Sequence, residues 1–257
     1  MDPDSDLDPD LRLLRALGGF FVLRAAPPAA RAAGAPDAGR PPTLAQTYAP
    51  VPARGRPDPL TARVRTVAGR LRTTEPRVAA SVAQQGLAAR LWSVALGCAV
   101  LYGRLPDLDP RLLRWDAHAS APDDLWLTEV CPRPGDAAGL ADAVLHAHLE
   151  PLAQALRARY GLAAGLLWGN AGSALAGAAR ELDRWARAHG RTDAAARTRA
   201  LTDGLFAHPL LRATGARAGT AFRRRSCCLY YRVPGGGVCG DCCFTRPPRS
   251  SPGAVSG

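Results

Sequence analysis

The chain has 257 residues and a formal net charge of +11, and 47% of its residues are hydrophobic. This composition is ordinary for a folded protein and excludes intrinsic disorder of the whole chain. Only 6% of the residues are aromatic, so we expect a core of Ala, Leu and Val in closely packed helices. The most apolar uncharged run, residues 91–103, is shorter than the roughly 20 residues that a membrane-spanning helix needs. We therefore predict no integral membrane segment.

The first ten residues are acidic and do not resemble a secretory signal, which needs a basic start and an apolar core. We therefore expect a cytoplasmic protein, in which the seven Cys residues do not form structural disulfides.

Arg residues are concentrated towards both ends of the chain. Residues 212–257 contain eight Arg and one acidic residue, and a second Arg-rich zone covers residues 11–77. Such zones favour an anionic partner, and they also allow peripheral contact with the inner face of the membrane. The alternative is an Arg surface that only aids solubility, since every basic residue is Arg and Lys is absent.

Helical periodicity covers most of the chain up to about residue 210. Residues 11–24 have helical apolar spacing that a Gly pair interrupts, whereas residues 25–58 are rich in Ala, Pro and Arg and lack periodicity. The segment Thr73–Pro76 is typical of a helix start, and it predicts a helix that runs to about Leu101. Further helices are predicted at residues 136–160 with a kink at Pro151, at 162–188 and at 193–206, and a short strand at 125–127.

The sequence therefore predicts a mainly α-helical fold with a Cys-rich and mostly irregular C-terminal segment. We divide the chain into three parts. Residues 1–58 are a poorly ordered N-terminal helix and linker, residues 59–210 are a helical body, and residues 211–257 are the Cys-rich segment and tail.

Five Cys residues lie within a short stretch near the C-terminus: Cys227, Cys228, Cys239, Cys242 and Cys243. The CxxC pair can aim two thiolates at one metal, and the turn at Pro234–Gly237 can bring the vicinal pair back to it. Four thiolates suit either one zinc ion or a [2Fe–2S] cluster. Neighbouring side chains in extended backbone point to opposite sides, which favours two irons over one zinc ion. Cys98 and Cys131 lie apart from this group, and we interpret them as structural.

The pattern CC, ten residues, CxxC resembles the C-terminal segment of the FhuF-type ferric-siderophore reductases. Leu166–Ala171 is similar to the LWGN stretch in the helical body of the same family. The resemblance covers roughly residues 60–243 and implies an iron–sulfur oxidoreductase that passes one electron from a [2Fe–2S] cluster to Fe(III)-siderophore and releases Fe(II) in the cytoplasm. It also implies the cluster ligands, which are Cys227, Cys228, Cys239 and Cys242, with Cys243 as the alternative to Cys242.

Four residues are predicted to bind substrate: Trp168, Asn170, Arg224 and Arg225. We expect the Arg residues beside the cysteines to favour the more negative reduced cluster and to attract an anionic chelate or an acidic donor protein. No Gly-rich dinucleotide fingerprint is present. We therefore predict an external electron donor, namely a ferredoxin, a flavodoxin or a reductase, and the resemblance implies a ferric siderophore as the other partner.

Two other functions stay open on the sequence alone. The isoelectric point near 10.2 and the Arg-flanked cysteines suggest a zinc-stabilised nucleic-acid-binding protein, although no nucleic-acid-binding motif is present and we predict no nucleic-acid partner. The other is an iron–sulfur electron carrier without a substrate of its own.

Overall fold

The computed structural model describes residues 11–25, 40–50 and 58–248. The α-helices are α1 (Leu44–Tyr48), α2 (Pro59–Leu71), α3 (Pro76–Tyr102), α4 (Ala137–Leu140), α5 (Glu150–Tyr160), α6 (Ala164–Ala188) and α7 (Thr192–Ala207). A π-helical segment, Ala141–Leu149, joins α4 to α5, and short 3-10 helices cover Arg12–Leu17 and Tyr230–Arg232. The predicted mainly α-helical fold is confirmed.

Short strands complete the described fold: β1 (Arg24–Ala25), β2 (Arg104–Pro106), β3 (Leu113–Trp115), β4 (Leu125–Leu127), β5 (Pro132–Pro134), β6 (Gly215–Ala218) and β7 (Ala221–Arg224). One small sheet has the order β1-β4-β3, with β1 parallel and β3 antiparallel to β4. Strands β2 and β5 form an antiparallel pair, and β6 and β7 form a hairpin. The predicted strand at residues 125–127 is β4.

Helix α3 is the centre of the core. It begins with Pro76 in its first turn, as predicted, because Pro lacks the N–H that a first-turn residue cannot use within the helix. It ends at Gly103, whose φ of +72° is a left-handed conformation that glycine adopts without strain. Residues on all faces of its C-terminal half are buried, and α6 and α2 pack against it. None of the helices in the described part of the chain is long and apolar enough to cross a membrane.

The region predicted as one kinked helix, residues 136–160, is helical throughout but changes geometry before Pro151. The π-helical segment ends at Leu149, and α5 begins at the next residue. Pro151 has no N–H for the carbonyl four residues earlier, so the regular hydrogen-bond ladder is interrupted at this point.

The N-terminal residues depart from the prediction. Residues 11–24 form only a short 3-10 helix followed by extended chain that ends in β1, since the Gly pair stops the helix. Residues 11–25 and 40–50, which the composition assigned to a poorly ordered region, pack on the helical body. Leu14, Phe21 and Leu44 are fully or almost fully buried in the core. The remaining residues of the predicted linker lie outside the described part of the chain.

Candidate iron–sulfur site

The cysteine-rich segment follows the β6–β7 hairpin, which packs on helix α6. At the crossing the helix carries Gly169 and Gly172. A Cβ atom at Gly172 would lie 2.5 Å from Thr214 Oγ1, and a Cβ atom at Gly169 would collide with Ser226 Oγ. These two glycines therefore let the hairpin approach the helix closely enough to place the cysteines against it.

A turn between the vicinal cysteines and the CxxC pair folds the chain back on itself. Leu229 adopts a left-handed conformation with φ of 68°, which is uncommon for a residue with a Cβ atom, and its N–H donates to Cys227 Sγ at 3.3 Å. The Sγ atoms of Cys228 and Cys239 then lie 3.5 Å apart. Two thiolates on one tetrahedral metal with bonds of about 2.3 Å lie roughly 3.8 Å apart. Cys228 and Cys239 are therefore spaced as ligands of a single metal would be.

The Cys239–Cys242 turn is anchored to α6 through Asp241. A backbone hydrogen bond of 3.0 Å closes the turn between its two ends. The buried carboxylate of Asp241 accepts from Ser173 Oγ at 2.6 Å and pairs with Arg180 at 3.0 Å. The carbonyl oxygen of Asp241 accepts from the backbone N–H of Arg224 at 3.0 Å, so one residue ties the turn to both the helix and the hairpin.

A buried chain of hydrogen bonds connects the two long helices to the vicinal cysteines. Ser81 on α3 donates from Oγ to the carbonyl oxygen of Cys228 at 2.7 Å. The side-chain amide of Asn170 on α6 donates to the carbonyl oxygen and to Oγ of Ser81, at 3.0 and 3.1 Å. Asn170 Oδ1 accepts from Nη2 of Arg224. Asn170 is fully buried, so this network fixes the cysteine segment from inside the protein.

Arg224 is a buried cation beside the cysteines. Its side chain is 2% exposed, and Nη2 also donates to the carbonyl oxygen of Leu166 at 3.3 Å. Its Nε and Nη1 have no hydrogen-bond partner among the described residues, and no carboxylate of those residues pairs with it. The Oγ of Ser226 is likewise buried without a partner there. The protein thus presents unused donors and a positive charge next to its thiols.

Contacts between the sulfur atoms and burial are the largest influences on the pKa values of the clustered cysteines, and the charge of Arg224 adds a smaller effect that favours the thiolate form. Contact with the Cys239 sulfur lowers the pKa of Cys228 to about 7, while the same contact and burial raise the pKa of Cys239. Burial raises the pKa of Cys227 and of Cys243, against the opposing effect of Arg224.

The donor set fits a [2Fe–2S] cluster. Such a cluster takes two thiolates on each of two irons and carries a net negative charge. Cys228 and Cys239 have the spacing of one such pair, with Cys227 and Cys242 near them. The uncompensated Arg224 supplies the opposite charge. Among the described residues, no three His, Cys, Asp or Glu side chains are grouped so as to hold one metal ion.

Comparison with protein families decides the cofactor. A family model described as FhuF 2Fe-2S C-terminal domain matches residues 224–244, and one described as ferric iron reductase FhuF-like transporter matches residues 81–220. The chain belongs to the FhuF-like family. No curated protein shows significant similarity to it. The FhuF-like match covers the helical body from residue 81 onwards, and the C-terminal match covers all five clustered cysteines.

Membership of the FhuF-like family confirms the predicted [2Fe–2S] cofactor. It also gives the protein the role of an iron–sulfur protein of the ferric iron reductase type. The single-zinc alternative, and with it the zinc-stabilised nucleic-acid-binding protein, loses its basis because the matched domain is an iron–sulfur domain. The assignment of individual cysteines as ligands stays a prediction.

The predicted substrate residues divide into two groups. Trp168 is half-buried and Arg225 is exposed, and their contact with substrate stays a prediction. Asn170 and Arg224 are buried and bonded to each other, so we assign them to holding the cysteine segment. The sequence reasoning missed Ser81, whose role depends on the packing of two distant helices.

Proposed function

We propose that this protein reduces Fe(III) held in a siderophore chelate and releases Fe(II) in the cytoplasm, with electrons from an external donor protein. The observation that carries the proposal is the buried Arg224 guanidinium, unpaired among the described residues, at a group of five thiols in an iron–sulfur domain. Four thiolates leave a net negative charge around any metal they hold, and a buried cation offsets that charge. A site that accepts and passes on negative charge benefits from one.

In this proposal Cys227, Cys228, Cys239 and Cys242 hold the cluster as thiolates. The bound [2Fe–2S] cluster supplies the capacity to take up and give back one electron. Cys228 is almost completely buried, whereas the other three side chains are partly exposed. The cysteine segment thus shields one side of the bound cluster from water and leaves the other side of the cluster open to partners.

Arg224 is the residue that adjusts the reduction potential of the bound cluster. Nε and Nη1 of Arg224 and the Oγ of Ser226 are buried side-chain donors without a partner among the described residues. Hydrogen bonds from such donors to the cluster and nearby positive charge make an added electron more favourable. Asn170 accepts from Arg224 and donates to Ser81, so it acts as a positioning residue. The Gly169 backbone allows both groups to lie against α6.

The reaction follows from the charge of the substrate metal. Anionic oxygens of the chelate bind Fe(III), a hard cation. One electron converts Fe(III) to Fe(II), which lowers the charge of the cation and weakens each metal–oxygen bond. Fe(II) then dissociates and is bound by softer ligands, and the freed chelate oxygens take up protons from water. No bond within the protein forms or breaks.

The exposed side of the cysteine segment suits an acidic donor protein. Val238 and Phe244 are among the few large apolar side chains exposed in the described part of the chain. Arg223 and Arg225 lie on the same segment and are exposed. Exposed apolar side chains and cations on one segment suit an acidic redox partner, and the cations steer its approach.

Turnover of a ferric chelate tests this function. Anaerobic protein with bound cluster is mixed with a ferric trihydroxamate, a reductant and a chelator that absorbs only with Fe(II). We expect Fe(II) to appear in proportion to protein, and Cys228→Ser to abolish both the cluster spectrum and the reaction. Cys131→Ser, which removes an unrelated thiol, should behave like the wild type. A wild-type protein with a full cluster that releases no Fe(II) would contradict the proposal and favour an electron carrier.

A further inference from the structure

A cleft of about 540 Å³ opens beside the Cys239–Cys242 turn. Its walls are α3, α6 and residues 17–21 of the N-terminal segment, and its end is formed by Cys239 and the two residues that follow. Sites for small molecules span about 300–1,000 Å³. The cleft therefore has the size of a ligand site and borders directly on a predicted cluster ligand.

The N-terminal wall of the cleft is held in place from the core. Arg90, buried in α3, donates to the carbonyl oxygens of Phe20 at 2.5 Å and Val22 at 2.8 Å, and it pairs with the buried Asp124 at 2.9 Å. Two charge-assisted hydrogen bonds fix the backbone of this segment, and the ion pair with Asp124 holds the guanidinium that donates them. The ring of Phe20 is nevertheless 49% exposed, because the anchored backbone presents it at the cleft rather than to the core.

The opposite wall combines small residues with Arg180 and with Glu181, whose carboxylate pairs with Arg184. Ala174 and Gly177 of α6 line the cleft, and a Cβ atom at Gly177 would meet only Arg180 Nη2, at 3.9 Å. Arg180 is one-third exposed and uses two of its N–H groups on Asp241. A guanidinium has five N–H donors, so three remain for oxygen atoms of a ligand. Arg180 thus links the cleft to the turn that carries Cys239.

We propose that the ferric chelate binds in this cleft, an inference that rests on the proposed function. The apolar backbone of the chelator lies against Phe20 and the small residues of α6, and chelate oxygens accept from Arg180. Bound there, the Fe(III) complex sits next to Cys239. One electron enters the complex and Fe(III) becomes Fe(II), with the external donor as the reductant.

Filling the cleft tests the proposal without relying on turnover. Gly177→Leu places a side chain into the cleft, and Gly165→Leu makes the same change at an exposed, open position of the same helix. The probes are gallium(III) complexes of a trihydroxamate, a tricatecholate and citrate, since Ga(III) has the charge of Fe(III) and is not reduced under these conditions. We expect calorimetry to show that the wild type binds at least one complex and that Gly177→Leu weakens binding at least tenfold. Gly165→Leu should bind like the wild type.

A second variant distinguishes weaker binding caused by the altered cleft from weaker binding caused by misfolding. Phe20→Ala removes a half-exposed ring, so it should retain the fold and weaken gallium-chelate binding three- to tenfold. Reduction of ferricyanide, a small acceptor that needs no chelate site, should be equal in all variants. Unchanged binding in both Gly177→Leu and Phe20→Ala, or no binding of any probe by the wild type, would overturn the cleft assignment. Wild-type binding that depends on Gly177 without any reduction of ferric chelates would support the cleft and refute the proposed function instead.

Discussion

Replacing Arg224 with Met should lower the reduction potential of the bound cluster by a large and specific amount. The side chain is 2% exposed and unpaired with any described carboxylate. Its charge therefore acts on its neighbours with little screening by solvent. Arg225 is its exposed neighbour, so Arg225→Met removes the same charge where water and salt screen it.

The magnitude follows from the Coulomb energy. Unit charges about 4–8 Å apart at an effective dielectric constant of about 20 interact by roughly 2–4 kcal/mol. For a one-electron couple about 59 mV corresponds to 1.4 kcal/mol, so Arg224→Met should lower the potential by about 90–170 mV. Arg225→Met should lower it by less than about 30 mV, because exposed charges are screened.

The fold of the cluster-free variant should survive the change. Arg224→Met loses charged hydrogen bonds to Leu166 and Asn170, each worth about 1.5–3 kcal/mol. It also removes an uncompensated buried charge that costs several kcal/mol. These opposing contributions leave the free energy of unfolding within about 2 kcal/mol of the wild type, which denaturant titration measures.

An EPR-monitored redox titration of the wild type and both variants at one salt concentration tests this effect of Arg224 on the reduction potential. The spin-half signal of the reduced cluster gives the midpoint potential of each protein. A potential that is unchanged in Arg224→Met, or shifts equal in the two variants, would refute the role assigned to Arg224. Arg224→Lys, which keeps the charge, should restore most of the wild-type potential.

Three further predictions concern the close packing at Gly169, the identity of the fourth cluster ligand and the protonation of the buried His148. Gly169→Ala forces a Cβ atom against Ser226 and should reduce the free energy of unfolding by about 1–3 kcal/mol, whereas Gly165→Ala, at an open position, should not reduce it. Cys242→Ser should lose the cluster and Cys243→Ser should keep it, as counted by iron per protein, and the opposite result would make Cys243 the ligand. Burial lowers the pKa of His148 in the folded protein to about 4. Between about pH 6.5 and 4 the unfolded state therefore binds more protons than the folded state. The free energy of unfolding should therefore fall by up to about 3 kcal/mol as the pH drops through this range, and His148→Gln should flatten that dependence in urea titrations.

The helices of the body were predictable because their signals are local. Thr73–Pro76 marks the start of α3, and Gly103 marks its end, as the structure confirms. The cysteine pattern predicted either one zinc ion or a [2Fe–2S] cluster, and its resemblance to the FhuF-type segment implied the cluster. The β6–β7 hairpin escaped prediction because its strands are only four residues long and the inward positions of β7 are Phe222 and Arg224, so apolar and polar residues do not alternate along the sequence.

The surroundings of the cysteines depend on contacts between distant parts of the chain. Nothing next to Ser81 in the sequence indicates a bond to Cys228, which lies 147 positions later. The Gly residues of α6 permit a close approach to the helix, yet only the fold shows that the β6–β7 hairpin is what approaches. Phe20 reaches the cleft because Arg90, seventy positions later, holds its backbone. Such residues carry no motif, so the sequence alone leaves them unmarked.

The most direct test of the account is a single-turnover count. Protein with a full cluster is reduced anaerobically, freed of excess reductant and mixed with a ferric siderophore and a chelator that reports Fe(II). The account predicts about one Fe(II) released per cluster, together with loss of the spin-half EPR signal at the same rate. A signal that persists in the presence of the ferric chelate, with no Fe(II) formed, would contradict it.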